Sequence, residues 1–393
     1  MAWFKELLAL IVFNIRSWRL RPMATGVAIA SFLIVVLVFV GIFSVENGFT
    51  ATARSTGASD VAMVLSQGAR SEMSSSLPIS DVGVIESAPG VTHNSNGPLI
   101  AGEYTDIINA TKHGSQEPTD VTVRGVDKSM FTLEPQVKIV AGRMFKTGVN
   151  ELIVGRRAAQ EFKGFTLGST VHWLQTDWKV VGIFSSNGDV HESELWTDIH
   201  ALQNADQNNG NVAAMYAKLT SANAFPAFQQ SLEHNPQLSV SVLRQSDYYL
   251  QQTNALTRFI ASIGGLVTLL MGIGAVVGAM NIMYTTIVVR TSELATLRAI
   301  GFQASSTFSA VMIEGLLLGV IGGVVGILGA WLIFNGHQAS TLSGYGQVIF
   351  NFAVTVPLMI LSIGIAVFMG LIGGLYPALR ASRLAISVAL RET

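Results

Sequence analysis

Four stretches of this chain are too long and too apolar for water: residues 23–45, 259–289, 308–334 and 354–379. None carries an Asp, Lys or Arg at its centre. About 20 apolar residues in a helix cross the hydrocarbon of a bilayer, where lipid offers exposed backbone N–H and C=O groups no partner. Four transmembrane helices are therefore predicted. A charged fraction of 12%, 38 glycines and a mean hydropathy of +0.47 fit a membrane chain better than a soluble one.

The first stretch differs from a secretory signal. Ala51-Thr52-Ala53 resembles a cleavage site, but a signal core is about 7 to 15 residues long, so an uncleaved anchor is expected. Charge sets orientation. Residues 46–256 hold 14 Lys plus Arg against 21 Asp plus Glu, or −7, and the remainder 10 against 4, or +6. Lys5, Arg16, Arg19 and Arg21 precede the first helix, Arg290 and Arg298 lie between the second and third, and Arg380, Arg383 and Arg391 follow the fourth. Basic residues near helix ends stay inside. Both termini are thus expected in the cytoplasm, with residues 46–245 outside. The absence of cysteine excludes disulfides and Cys-based metal sites.

The fold class expected is an integral membrane α-helical protein, four transmembrane helices with a long second helix forming a stalk, plus an α+β extracytoplasmic domain. An amphipathic interfacial helix (1–21) carries Trp3, Phe4, Leu7, Leu8, Ile11, Ile15 and Trp18 at helical spacing; a plain extension of helix one is the alternative. Transmembrane helix one follows (22–45), then the outer domain (46–245). Its strands are expected at 61–65, 121–126, 171–175 and 179–184, with helices at 151–162 and 222–233. A stalk and transmembrane helix two (246–289) exceed 40 residues, which at 1.5 Å each is roughly twice the hydrocarbon thickness. A cytoplasmic link (290–304), helix three (305–334), a short outer loop (335–353), helix four (354–379) and a cytoplasmic tail (380–393) complete the chain.

Glycines recur at close spacing in the membrane segments: Gly274 and Gly278; Gly315, Gly319, Gly322, Gly323 and Gly326; Gly370 and Gly374. Such spacing lets helix backbones approach, within the chain or between subunits.

Catalytic constellations are not evident. The chain contains no Gly-x-x-x-x-Gly-Lys-Ser/Thr phosphate loop. His191-Glu192 is followed by Leu195 where a zincin helix needs a second His, and no metal site is expected. Glu192, Glu194 and Asp198 read as a solvated acidic turn, and no pocket is expected in the outer domain. Two features stand out. Arg290-Thr291-Ser292-Glu293-Leu294-Ala-Thr-Leu297-Arg298-Ala-Ile300-Gly301-Phe302 reads as a short helix capped by Thr291 or Ser292. Its Leu294, Leu297 and Ile300 form an apolar stripe that a partner, the bilayer surface or the chain's own helices must cover. Glu314, with Asn281, is an intramembrane polar group, and a carboxylate there warrants a functional hypothesis: a structural hydrogen bond or a coupling role.

These residues carry a resemblance. Asn281-Ile-Met, the segment Arg290–Phe302, Glu314-Gly-Leu-Leu-Leu-Gly-Val-Ile-Gly-Gly-Val-Val-Gly326 and Gly374-Leu-Tyr-Pro-Ala-Leu-Arg-Ala-Ser-Arg are similar to the permease domain shared by FtsX, LolC/LolE and MacB. Gly142-Arg-Met-Phe and Glu151-Leu-Ile-Val-Gly resemble the MacB-type periplasmic core. The resemblance implies a non-enzymatic permease subunit of a mechanotransmitting ABC transporter in a bacterial inner membrane. Residues 290–302 become the ATPase-coupling helix. ATP and Mg²⁺ are expected on a separate cytoplasmic ATPase, with no cofactor on this chain. The partners implied are that ATPase, a second copy or a similar permease, a periplasmic adaptor with an outer-membrane channel, and the bilayer; nucleic acid is not among them. Efflux is one role implied; lipoprotein extraction, or activation of a periplasmic partner with no substrate crossing, is another.

Overall fold

The computed structural model describes residues 12, 16, 18–95, 97–208, 210–343 and 346–383, leaving aside the side chains of Leu20, Leu294, Leu297 and Ser343. Most of the expected interfacial helix lies outside the described residues. The chain divides into a membrane unit (1–47, 258–337, 352–393) and a soluble unit (48–257, 338–351).

Four helices among the described residues are long and apolar enough to span a bilayer: α1 (Pro22–Thr56), α2 (Gln245–Val289), α4 (Ala304–Phe334) and α5 (Val356–Ser382). The short α3 (Thr291–Ala299) joins α2 to α4. Helix α1 continues past the expected end at 45 to Thr56. No Pro interrupts it there, and Phe49 and Ala53, both buried, give its last turns a core to pack on. Helix α5 likewise runs three residues past 379, to Ser382.

The soluble unit is built on a ten-stranded mixed sheet. Its strands are β1 (Val61–Ser66), β2 (Ile100–Thr111), β3 (Pro118–Val126), β4 (Lys138–Gly142), β5 (Glu151–Gly155), β6 (Thr170–Trp173), β7 (Thr176–Ser185), β8 (Leu195–Asp198), β9 (Ala214–Lys218) and β10 (Val240–Arg244). The spatial order is β10-β1-β9-β2-β3-β8-β5-β7-β4, with β6 paired to β7. The β3–β8 and β5–β7 pairings are parallel and the others antiparallel. The 151–162 segment corrects the expected helix: 151–155 is a strand, and only Arg156–Glu161 is helical. Leu152, Ile153 and Val154 form a short apolar run buried on both faces, which suits a strand with a parallel neighbour. Gly155 is required there, since a Cβ would lie 2.2 Å from the Glu192 carbonyl oxygen.

The expected outer loop at 335–353 is also corrected. It folds into an antiparallel hairpin, β11 (Gln338–Ser343) and β12 (Gly346–Asn351), that belongs to the soluble unit. Ile349 is buried among Leu152, Val154 and Trp178. A Cβ on Gly346 would sit 2.1 Å from the Thr122 hydroxyl, so only glycine allows this approach.

Candidate functional site

The link between α2 and α4 is tied at both ends. Arg290 occupies the N-cap of α3 with its side chain buried, and its Nε donates to Glu293 Oε2 at 3.0 Å. Neither Thr291 nor Ser292 caps the helix as expected: the Thr291 hydroxyl turns back to donate to the Val288 carbonyl at 2.8 Å. In the last turn Arg298 donates to the Ser382 carbonyl at 3.1 Å, joining α3 to the end of α5. Gly301 leaves the helix at φ +111°, a conformation that favours glycine. Of the expected apolar stripe, Leu294 and Leu297 lie outside the described side chains, while Ile300 is 71% exposed and Phe302 half-buried.

Behind this link, Glu314 is buried in α4 and accepts a hydrogen bond from Trp18 Nε1 at 3.1 Å. Arg21 and Arg290 act on it electrostatically. The hydrogen bond thus ties α4 to the residues before α1. Asn281 is not part of this group; it is exposed on α2.

The glycines divide. A Cβ on Gly315 would lie 2.7 Å from the Gly370 carbonyl oxygen, and one on Gly319 2.5 Å from that of Ala366. Gly370 is equally close to Gly315, at 2.5 Å, and Gly323 meets Ala366 Cβ at 2.8 Å. Gly322 and Gly326 face the α1 carbonyls of Ile29 and Leu33, each at 2.8 Å. Gly374 has ordinary contacts. A Cβ added at Gly274 or Gly278 would meet nothing within 4 Å, so neither glycine is required for a close approach within the described chain.

The soluble unit holds a charged cluster that hydropathy reading misses. Arg124 on β3 forks onto Glu194, with Nε at 2.9 Å and Nη2 at 2.8 Å. Its Nη1 reaches Glu72 at 3.1 Å and pairs closely with Glu103. Tyr216 donates to Glu72 at 2.7 Å, and Trp196 donates to Glu194 at 2.9 Å. His191 Nδ1 meets Glu194 at 3.1 Å. Glu192, Glu194 and Asp198 are therefore not a solvated turn; all three are buried. Asp198 caps the helix Ile199–Ala205 through the Ala201 N–H at 3.2 Å, and Glu192 accepts from the Ser186 and Gly188 amides at 2.9 and 3.0 Å. The sequence signal was Arg124 itself, a cation inside an apolar strand that must find buried anions.

Burial raises Glu103 to about 8, despite the neighbouring Arg124. Burial disfavours a charged His191, but Glu194 and Asp189 outweigh it and lift the imidazole to about 9. A value raised above the ordinary 6.5 contributes stability in full below about pH 6.5 and loses it as pH rises through about 9. At ~1.4 kcal/mol per pKa unit, that loss is on the order of 3 kcal/mol. Thermal unfolding followed between pH 6.5 and 9 is expected to show a falling midpoint, to which the raised Glu103 adds up to about pH 8, and His191→Asn to reduce that slope, most clearly above pH 8.

The hairpin is anchored by charge as well as by Ile349. Arg157 Nη1 donates to the Ile349 carbonyl at 2.7 Å, the Ile349 N–H donates to Ser193 Oγ at 2.9 Å, and Lys112 Nζ donates to Ser340 Oγ at 2.6 Å. Arg157→Met, which removes a buried cationic donor of about 1–3 kcal/mol, is expected to speed amide exchange at Ile349 and Val348 about tenfold or more; unchanged exchange would mean that the hairpin holds without it.

Family comparisons account for this layout. A MacB-like periplasmic core domain matches residues 25–235, and an FtsX-like permease C-terminal domain matches residues 265–386. The first alone covers more than half of the chain. This chain belongs to the MacB/FtsX-type family of ABC transporter permeases. The permease is 26% identical over 278 residues to the macrolide export ATP-binding/permease protein MacB of Bdellovibrio bacteriovorus, covering 64% of this chain and 41% of that protein. It is 26% identical over 311 residues to YknZ of Bacillus subtilis, an uncharacterized ABC transporter permease, covering 74% and 75%. The periplasmic region of MacB from Actinobacillus actinomycetemcomitans aligns with 51% of the permease and 95% of its own length, at 14% identity and a TM-score of 0.36. The permease spans 20% and 41% of the length of two of the MacB exporters it matches. Its apolar helices and its family make it a membrane protein with an extracytoplasmic domain.

Proposed function

We propose that this permease is the transmembrane subunit of an ATP-driven transporter, in which closure of cytoplasmic ATPases is passed to the outer domain to expel substrate. The observation that carries this reading is α2. One uninterrupted helix of 45 residues, about 68 Å long, starts directly after strand β10 and ends at α3. Its residues up to Thr257 belong to the soluble unit and the rest to the membrane unit. A helix is stiff along its axis, so displacement of α3 reaches the outer sheet without loss in a flexible joint. The anchored hairpin gives α4 and α5 a second route into the same domain.

In this reading ATP and Mg²⁺ bind a partner subunit, in keeping with the missing phosphate loop in these residues. Segment 290–302 is the coupling helix that docks on that ATPase, two copies form the working unit, and both termini face the cytoplasm of the inner membrane. A periplasmic adaptor with an outer-membrane channel would receive the substrate. Export is supported by the names of the MacB relatives.

Glu314 has a coupling role here, holding Trp18 in register with α4. In proteoliposomes containing the permease and its ATPase, Glu314→Gln is expected to lower ATP-driven transport several-fold while the complex still assembles. Transport at the wild-type rate would leave Glu314 a packing residue only.

A further inference from the structure

The last turns of α2 and α5 meet in a cluster of two tyrosines and an arginine. Gly373 of α5 faces α2, where a Cβ would lie 3.4 Å from Ala279 Cβ, so the two helices run close. Farther along both, Tyr284 of α2 stacks on Tyr376 of α5, with ring centroids 6.2 Å apart and 22° between the planes. Arg380 follows Tyr376 by one turn, and its guanidinium carbon sits 4.7 Å from the centre of the Tyr284 ring. Among the described residues, no hydrogen bond or ion pair engages that guanidinium or either phenol hydroxyl.

Two observations say what the cluster faces. The first is depth. Helix α5 has 27 residues, about 40 Å at 1.5 Å each against ~30 Å of hydrocarbon, so its last turn reaches the lipid headgroups. On the same helix Phe368, Ile372 and Leu375 are exposed on one face, an apolar track that ends at the exposed Tyr376 and Arg380. The second is charge. No Asp or Glu occurs at residues 248–292 or 315–383. Glu293 and Glu314 accept from Arg290 and Trp18 instead. Arg380 therefore has no carboxylate to pair with among the described residues, and Arg383 adds a second positive charge one turn on.

A planar guanidinium laid on an aromatic ring, with its N–H groups unengaged, matches a phosphate, which accepts two parallel N–H donors. The phenol hydroxyls beside it are further donors, and the track along α5 suits an acyl chain. We propose that Arg380, Tyr284 and Tyr376 hold the headgroup phosphate of an anionic phospholipid, whose acyl chain lies along the exposed face of α5. Stacking on Tyr284 orients the guanidinium before the lipid arrives, so less side-chain freedom is lost on binding. The claim does not depend on the ATPase partner proposed above.

The test uses the full chain, delipidated in detergent, with bound lipid counted by native mass spectrometry. Dioleoylphosphatidylglycerol is titrated against dioleoylphosphatidylcholine, whose headgroup has no net charge, and inorganic phosphate is added as a competitor. The expected result is one phosphatidylglycerol per chain, held about tenfold more tightly than phosphatidylcholine and not displaced by phosphate. Arg380→Gln, at an exposed position, is expected to keep the parental unfolding midpoint and to abolish the preference. Arg380→Lys keeps the charge without the planar fork, and is expected to weaken phosphatidylglycerol about three- to fivefold; Tyr284→Leu should act in the same direction. Equal retention of the two lipids, displacement by phosphate, or parental binding in Arg380→Gln or Arg380→Lys would overturn the proposal. So would a loss of dimers in Arg380→Gln at an unchanged lipid count, which would give this face to a second copy.

Discussion

Gly319→Ala is expected to lower the stability of the permease by about 2–3 kcal/mol, whereas Gly278→Ala leaves it unchanged or slightly raised. Both residues sit in apolar helices at the same kind of spacing, and both exchanges improve helix propensity by about 1 kcal/mol. The difference is what the new methyl group meets. At 319 it lies 2.5 Å from the Ala366 carbonyl oxygen, so α4 and α5 must move apart. That displacement reaches Gly315, Gly323 and Gly370, which share the interface. In lipid, helices associate through such contacts rather than through the hydrophobic effect. At 278 the methyl group meets nothing within 4 Å. Near-UV circular dichroism during thermal unfolding in detergent measures both variants; equal midpoints would mean that α4 and α5 do not pack as described.

The second large effect is expected at α3, the proposed coupling helix. Ile300→Asp places a charge on a side chain that is 71% exposed, so folding should be unaffected. An exposed apolar side chain at the end of a short helix between two membrane spans is a natural contact for a partner. If residues 290–302 dock on the ATPase, the aspartate disrupts that contact and coupled ATP turnover falls tenfold or more, with the unfolding midpoint preserved. A complex that survives with full coupling would place the docking surface elsewhere.

The membrane segments were legible because lipid imposes length and composition on a helix, and that constraint is written in consecutive residues. The length of α2 was legible for the same reason. What failed depended on distant partners. Arg124 finds Glu72 and Glu194, 52 and 70 residues away, and a carboxylate in isolation reads as surface. The hairpin at 338–351 reads as a loop in sequence because its uncharged residues carry no signal of the sheet domain that buries Ile349. Gly274 and Gly278 look like Gly315 and Gly319 in sequence; only the neighbouring backbone separates them.

The central claim is that ATP hydrolysis by a partner moves the outer domain through α2. The permease has no cysteine of its own, so Glu117→Cys, at an exposed position on the soluble unit, takes a single spin label per copy. Electron–electron distance measurements on the proposed dimer, reconstituted with the proposed partner ATPase, should show a shift of several ångströms between the nucleotide-free and the ATP-trapped states. The same shift should be absent in Ile300→Asp. One unchanged distance distribution in both states, in a complex that hydrolyses ATP at the wild-type rate, would contradict the account.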